Sequence, residues 1–548
     1  MARGAHLDKT QGNAEEQSKP YGEYGERVPE AATQRFAKNS SGAASSAGRQ
    51  AGVVRASGMR FRRTSLIAVG CASALAGIGL SRKFNADDAF LAALISAAGL
   101  LLLRPKNITG LLLVILLGLG LGFWRGGAYM QKLQVLKNYT TQKVVIEATA
   151  TSDSIYTTNS QIEFTASSVR LLNPQNQSLA GSFKISGFGV PMIYRGDRVQ
   201  VAGKLFPTRG SNQARIAYAQ LQKIGLDNSW VNRFTRRFSA GMQSALPEPQ
   251  ASFGLGLLIG QRSTLPTEIL NMLTIVGLVH IVAVSGYNLT ILVRAAGRLK
   301  LGSKYQQLLL SLALIGFFLL MTGFSASIVR AALVSLLSLW AWFYGRKIRP
   351  IVLIALAAAI TGLANPFYVW GDLGWYLSFL AFFGILMIAP QISARLFKKE
   401  PKVLGGVVIE TFAAEIMTLP LIMLAFGQLS AVALLANVLV VPFVPFAMLL
   451  STLAAGAGML VPALAGWIAW PANLLLTFML DIVRLMASVP SALLLQSISV
   501  DIMLSFYFLV LLGLLVLHRR QTKTDIITDV NNTATSSLRL DAAQGRSE

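Results

Sequence analysis

Charge is scarce in this chain of 548 residues. Asp, Glu, Lys and Arg together make up 14% of it, whereas 53% is hydrophobic. A soluble globular protein carries about 25% charged residues, so the deficit excludes an ordinary soluble fold and points to lipid as the main solvent. Acidic residues are the rarer sign: 25 Asp and Glu against 49 Lys and Arg leave a formal charge of +24. That excess suits nucleic acid, cytoplasmic loops or anionic lipid, and does not by itself choose among them. Cysteine is almost absent. Cys71 alone excludes an internal disulfide framework and any cysteine-based zinc cluster, and His6, His280 and His518 are too few for a multi-histidine metal site. Enzyme signatures are missing as well. No Gly-x-Ser-x-Gly elbow surrounds Ser285 or Ser325, and the glycine spacing of Gly297–Lys304 ends in Gly302-Ser303-Lys304 after an apolar helix, where a phosphate loop would end in Gly-Lys-Ser/Thr after a strand. No catalytic constellation, cofactor or metal is implied, and the chain is not expected to be an enzyme.

What the sequence does have is apolar runs. Residues 1–58 are polar and read as a disordered cytoplasmic tail. Three transmembrane helices are expected within 59–125, near 64–80, 86–103 and 107–124, the first preceded by Arg60, Arg62 and Arg63. From 143 to 227 the runs shorten and alternate with polar residues, as in Val144-Val145-Ile146-Glu147-Ala148 and Arg198-Val199-Gln200-Val201, which predicts half-buried strands of a small water-facing β domain. Residues 228–247 form a basic amphipathic helix, read either as lying on the membrane surface or as packed on its own domain. Phe253–Gly260 is too short to cross and reads as a buried or re-entrant helix. The region 250–517 is then nearly continuous membrane, with nine further spans expected near 281–297, 306–322, 327–344, 350–366, 373–390, 403–425, 431–457, 464–488 and 500–517, and 518–548 reads as a second disordered cytoplasmic tail. Every second connector is basic: Arg298 to Lys304, Arg346 to Arg349, Arg395 to Lys402, and His518-Arg519-Arg520. The positive-inside bias therefore puts both termini in the cytoplasm and the β domain outside, with Arg82-Lys83 the exception. The expected fold class is a polytopic α-helical integral membrane protein of about twelve spans, with an inserted extracytoplasmic all-β domain.

Polar groups inside the apolar stretches carry what chemistry there is, because each is costly there and tends to face a bundle interior, a partner or a wet path. His280, Ser285, Gly286 and Asn288 read as a broken helix whose amides can face an anion, or as a plain helix start. In Thr322–Arg330 a Gly/Ser turn opens a helix, with Ser327 and Arg330 in its first turns; Arg330 can hold a phosphate, snorkel, or pair with Asp372. Asp372, before Trp375 and Tyr376, reads as a cap or a site group. Glu415, Gln428 and Asn437 form a later polar set, in which Glu415 suits a proton- or ion-coupled role or a hydrogen bond across the bundle. Asp481 and Arg484 are spaced to pair with each other.

These motifs occur together in one order. Gly254-Leu255-Gly256-Leu257-Leu258-Ile259-Gly260-Gln261-Arg262 followed by His280 to Asn288, then Thr322 to Ala332, then Trp375 to Ala381, then Glu415 to Asn437 with Pro420, resemble the ComEC competence family of inner-membrane DNA-uptake channels over roughly 250–455. Two positions depart from the family pattern: Asn288 stands for a frequent histidine and Glu415 for a frequent glutamine. The resemblance implies a cytoplasmic-membrane permease passing single-stranded DNA during natural transformation, with His280, Ser285, Asn288, Ser327, Arg330, Asp372, Glu415, Gln428 and Asn437 along the path. It further implies that the β domain is OB-like and able to carry single strands, with Lys184, Tyr194, Arg195, Arg198, Lys204, Arg209 and Arg215 as contacts, beside Phe188 and Phe206. Equally, those side chains can be a solvated barrel face. Many members carry a metallo-β-lactamase-like domain after the membrane part; its absence is expected here, so that a separate nuclease, an ATPase or helicase motor and an outer DNA receptor would be partners, with the lipid bilayer and a possible homo-oligomer. The alternatives are a proton-coupled small-solute transporter using Asp372 and Glu415, and a non-transport membrane scaffold.

Overall fold

The computed structural model of the chain describes residues 63–84, 107–156, 161–174, 176–190, 192–207, 212–225, 229–282, 303–346, 349–397 and 403–516, with 286, 289, 293 and 297. The expected tails, the span at 86–103, most of that at 281–297, and Ser285, Asn288 and Arg209 lie outside these residues. Helix α1 (Arg63–Ser81) packs along α2 (Asn107–Lys137) through small residues. A Cβ on Gly118 would lie 2.6 Å from the Gly70 carbonyl, and Gly122 and Gly126 repeat the close approach against Ala74 and Ser81. Without a hydrophobic drive between lipid-immersed helices, such backbone contact is what holds them together. Arg82, the exception to the charge bias, donates to the Trp370 carbonyl (2.7 Å), and Trp370 Nε1 donates in return to Ile78 (2.7 Å).

The β domain begins six residues after α2. Strands β1 (Lys143–Ala150), β2 (Ile155–Tyr156), β3 (Ile162–Asn173), β4 (Gln177–Leu179), β5 (Phe183–Phe188), β6 (Arg198–Pro207) and β7 (Ala214–Gly225) form one sheet. Its long strands run β1-β6-β7-β5-β3, and β3 pairs back to β1, so the sheet closes into a barrel. Every long pairing is antiparallel except β5 with β7. Alternation sends Ile146, Leu171, Phe183, Ile185 and Ile216 to a dry interior, where each contributes roughly 1.5–3 kcal/mol.

After the barrel come α3 (Trp230–Ala245), α4 (Gln250–Ile259), α5 (Thr267–Ile275) and the single turn α6 (Val279–Val282). The bundle continues with α7 (Lys304–Thr322), α8 (Ala326–Phe343), α9 (Pro350–Ala364), α10 (Phe367–Gly371) and α11 (Leu373–Phe383). A π-helical segment, Gly384–Ile388, joins α11 to α12 (Ala389–Leu396). The rest is α13 (Val403–Phe426), β8 (Gln428–Ser430), α14 (Ala433–Val440), α15 (Val444–Leu460), α16 (Ala465–Ala487), β9 (Leu493–Leu495) and α17 (Val500–Val516). Among the described residues eight helices are long and apolar enough to cross a membrane, and 350–364 and 500–516 are shorter apolar helices. The protein is a multi-pass membrane protein with a β-barrel insert. The basic helix α3 is packed within the bundle: it buries Phe238, Gly241 and Met242, and a Cβ on Gly241 would meet the Ala455 carbonyl of α15 at 2.6 Å. Its Arg233 and Arg237 stay exposed.

Candidate functional site

Two polar clusters stand inside the helical bundle. The first gathers around Arg330, which is only 3% exposed. Gly323, at φ 74°, ends α7, and the turn that follows starts α8 at Ala326, so that Arg330 falls in the second turn of a spanning helix. Its Nη2 donates to the Gly374 carbonyl at 2.9 Å. The remaining donors Nε and Nη1 are buried with no partner. Asp372 lies near enough to act on this charge, yet no ion pair joins the two. Instead Asp372, 6% exposed, caps α11 through Oδ1, which accepts the Trp375 N–H at 3.2 Å. Of the three roles open to Arg330, pairing with Asp372 and snorkelling are therefore not the ones adopted. Ser327 sits half-buried one turn before it. Gly286 touches the same helix, since a Cβ there would stand 2.7 Å from the Ala331 Cβ. The fold thus brings Gly286 beside the helix that carries Arg330.

The second cluster lies between α13 and α14. Glu415 is half-buried with Asn437 as its side-chain partner. Glu415 Oε2 and Asn437 Oδ1 are both buried and accept nothing. The π segment allows α13 this close, because Gly384 leaves no room for a Cβ against the Ala413 carbonyl. Gln428 lies in β8, opposite Leu495 of β9. His280 is exposed, with Nδ1 3.0 Å from the Gly277 carbonyl, and Gly277 abuts Ala433 of α14. Asp481 and Arg484 pair at 2.8 Å.

In the barrel most of the expected contact residues already have partners. Lys184 pairs with Glu163 at 2.6 Å, and Arg198 pairs with Glu147. Arg195 docks the barrel onto the bundle: Nη1 donates to the Met321 carbonyl (3.0 Å) and Nη2 to that of Leu320 (3.2 Å). Its guanidinium also fills the space a Cβ on Gly323 would need. Tyr194 lies between Lys223 and Arg236, 5.7 and 6.0 Å from its ring centre. Lys204 rests over Phe206 at 5.7 Å, and Arg215 is exposed on β7. Burial pushes the Asp153 carboxyl above its usual range, against the lowering effect of the Arg195 N–H and the Arg195 and Arg236 charges. One residue escaped the sequence reading. Tyr218 is 72% exposed on β7, held at φ 53°, where the register between β6 and β7 shifts. A non-glycine residue in that region is strained, and here it presents an aromatic ring on the outer face that carries Arg215 and Phe188. Only the register, not the composition, reveals it.

A family model described as "Competence protein" matches residues 257–520, the stretch that holds both polar clusters. Over this stretch, a little under half of its length, the chain is similar to the competence proteins. Among curated proteins, "ComE operon protein 3" of Bacillus subtilis (strain 168) is 28% identical over 211 residues, which is 38% of this chain and 26% of that protein. The chain therefore matches about a quarter of the relative's length. No solved structure matches. Within the family stretch, Ser327, Arg330, Asp372, Glu415, Gln428 and Asn437 are members of the expected path that the fold sets inside or at the end of the bundle.

Proposed function

We propose that this chain is the inner-membrane channel through which single-stranded DNA enters the cytoplasm in natural transformation. One observation carries the reading: a cation in the family region is kept almost wholly buried with two N–H donors unpaired. An unpaired buried charge is expensive, and a passing phosphodiester supplies what it lacks. In this reading the barrel faces outward and both termini face the cytoplasm, following the alternation of basic connectors. The barrel is OB-like, supported by its closed order and its single parallel pairing, and it receives the strand on basic and aromatic side chains. Polar groups along the bundle then replace phosphate hydration. In this reading the chain supplies the path, and a receptor, a motor and a nuclease act as separate proteins. Labelled DNA followed into transformable cells tests this: entry requires the chain, and Arg330→Ala at unchanged protein level sharply lowers it. Unchanged entry would remove Arg330 from the path.

A second reading draws on Glu415 and Asn437, whose open acceptors suit a proton or small cation. It makes the protein a coupled small-solute transporter, with transport in vesicles free of DNA that Glu415→Gln abolishes. The channel reading expects Glu415→Gln to keep DNA uptake, since the amide retains the Asn437 bond.

A further inference from the structure

Between α4 and α5 the chain turns at a polar loop that neither cluster uses. At 1.5 Å per residue these helices of 10 and 9 residues are each about 15 Å long, half of a hydrocarbon core of about 30 Å. Helix α4 is nonetheless buried from Ala251 to Leu258. Its neighbours come from midway along spanning helices: Gln250 donates to Thr477 of α16 at 2.9 Å, and a Cβ on Gly254 would lie 3.1 Å from Ser451 Oγ of α15. Gly260, at φ 73°, ends α4 and turns the chain back. Irregular backbone at such depth is tolerated only when it is enclosed by protein or lines a water-filled cavity.

The loop's polar groups divide into two sets. Gln261 Oε1 accepts from Ser239 Oγ of α3 at 3.0 Å, and Ser252 Oγ donates to the Thr264 carbonyl at 2.9 Å. These fix the loop to α3 and α4. The other set is left open: Ser263 Oγ and Thr264 Oγ1 are buried without a partner, and the guanidinium of half-buried Arg262 has no hydrogen bond or ion pair among the described residues, although its carbonyl accepts from the Leu265 N–H at 3.1 Å. A planar guanidinium and two hydroxyls on three successive residues of one loop supply donors of the kind that an anionic oxygen pair takes.

We infer that Arg262, Ser263 and Thr264 form a second anion station at mid-depth, which grips the phosphodiester backbone of the strand and selects for its charge. The inference rests on the channel reading and deepens it. Purified full-length protein in liposomes, given labelled oligothymidylate with either phosphodiester or uncharged methylphosphonate linkages, tests it. The wild type admits the charged strand in preference, Arg262→Gln collapses that preference, and Arg262→Lys restores part of it. Excess inorganic phosphate separates a station for any small anion, which it blocks, from one that needs a polymer, which it leaves open. Thermal unfolding of each variant guards against misfolding, and Ser263→Ala, a smaller change, is expected to lower the preference in the same direction. An Arg262→Gln protein of wild-type stability with undiminished charge preference would overturn the station while Arg330→Ala still sharply lowers entry and the channel stands. A wild type that admits no strand would overturn both.

Discussion

The barrel and the helical bundle treat their charges in opposite ways. In the barrel Lys184 faces Glu163, Arg198 faces Glu147 and Lys223 faces fully buried Asp197 at 2.5 Å. In the bundle Arg330, which is 3% exposed, and half-buried Glu415 stand with polar atoms open. The difference is informative because the energetics run the other way. Surface ion pairs are worth about 0–1 kcal/mol and are easily given up, whereas an open buried donor carries its full desolvation penalty of about 1–3 kcal/mol. The Lys184–Glu163 and Arg198–Glu147 pairs are ordinary surface chemistry, and the buried exception, Asp197, keeps its charge paired with Lys223 through Oδ2 while Oδ1 has no partner. The openness of Arg330 needs a reason, and the polyanion of the proposed function would provide one.

That contrast can be broken or sharpened by experiment, beginning with the largest effect. Arg330→Ala removes a hydrogen-bonding cation, and contacts to charged groups are worth about 1.5–3 kcal/mol, so transformation frequency should fall on the order of 10- to 100-fold at equal protein level. Arg330→Lys keeps the charge but loses the fork, and should recover only part of that loss. Next comes Tyr218→Ala. Base stacking on an aromatic ring contributes about 1–3 kcal/mol, so the affinity of the detergent-purified protein for a single strand should drop at least roughly fivefold, read by fluorescence anisotropy at fixed salt. Binding that ignores Tyr218 and responds to Lys184→Ala would return the barrel's role to its charges alone.

The smallest effect concerns the barrel's joint with the bundle. Asp153 Oδ1 accepts the Arg195 N–H at 2.8 Å, and burial raises its carboxyl above the ordinary value. The folded state therefore holds this proton more tightly than the unfolded chain does. Its contribution favours folding at pH values below the unfolded carboxylate range and is lost as pH rises through the raised folded value. Asp153→Asn keeps the acceptor without the charge. It should melt slightly higher than the wild type at pH 7, with the gap closing toward pH 4, as followed by differential scanning fluorimetry.

Much of this architecture was legible in the sequence because two periodicities carry it. Long apolar runs give the spans, and alternation in Val144–Ala148 and Arg198–Val201 gives strands that the fold closes into a barrel. The short run before Gly260 was readable as a helix that does not cross, for lack of length alone. Partners across the fold were not readable. Lys184 and Glu163 meet only through the register of β3 against β5, and Arg195 finds its carbonyls on a helix more than a hundred residues later. The competition between Asp372 and Gly374 for Arg330 was equally hidden, since a cap and a salt bridge need the same residue types. Tyr218 depends on a bulge that no composition encodes.

Helix α2 has 31 residues and so reaches about 46 Å, some 15 Å more than a bilayer's oily layer needs. The surplus runs into the barrel. Leu136 joins the barrel core and Tyr129 Oη accepts from Gln213 Nε2 at 3.1 Å, so the last turns of this helix fix which side of the barrel looks toward the bundle. Each residue inserted there would swing that side by about 100°, so the phasing of this single rod decides whether Arg195 of the barrel still reaches the end of α7.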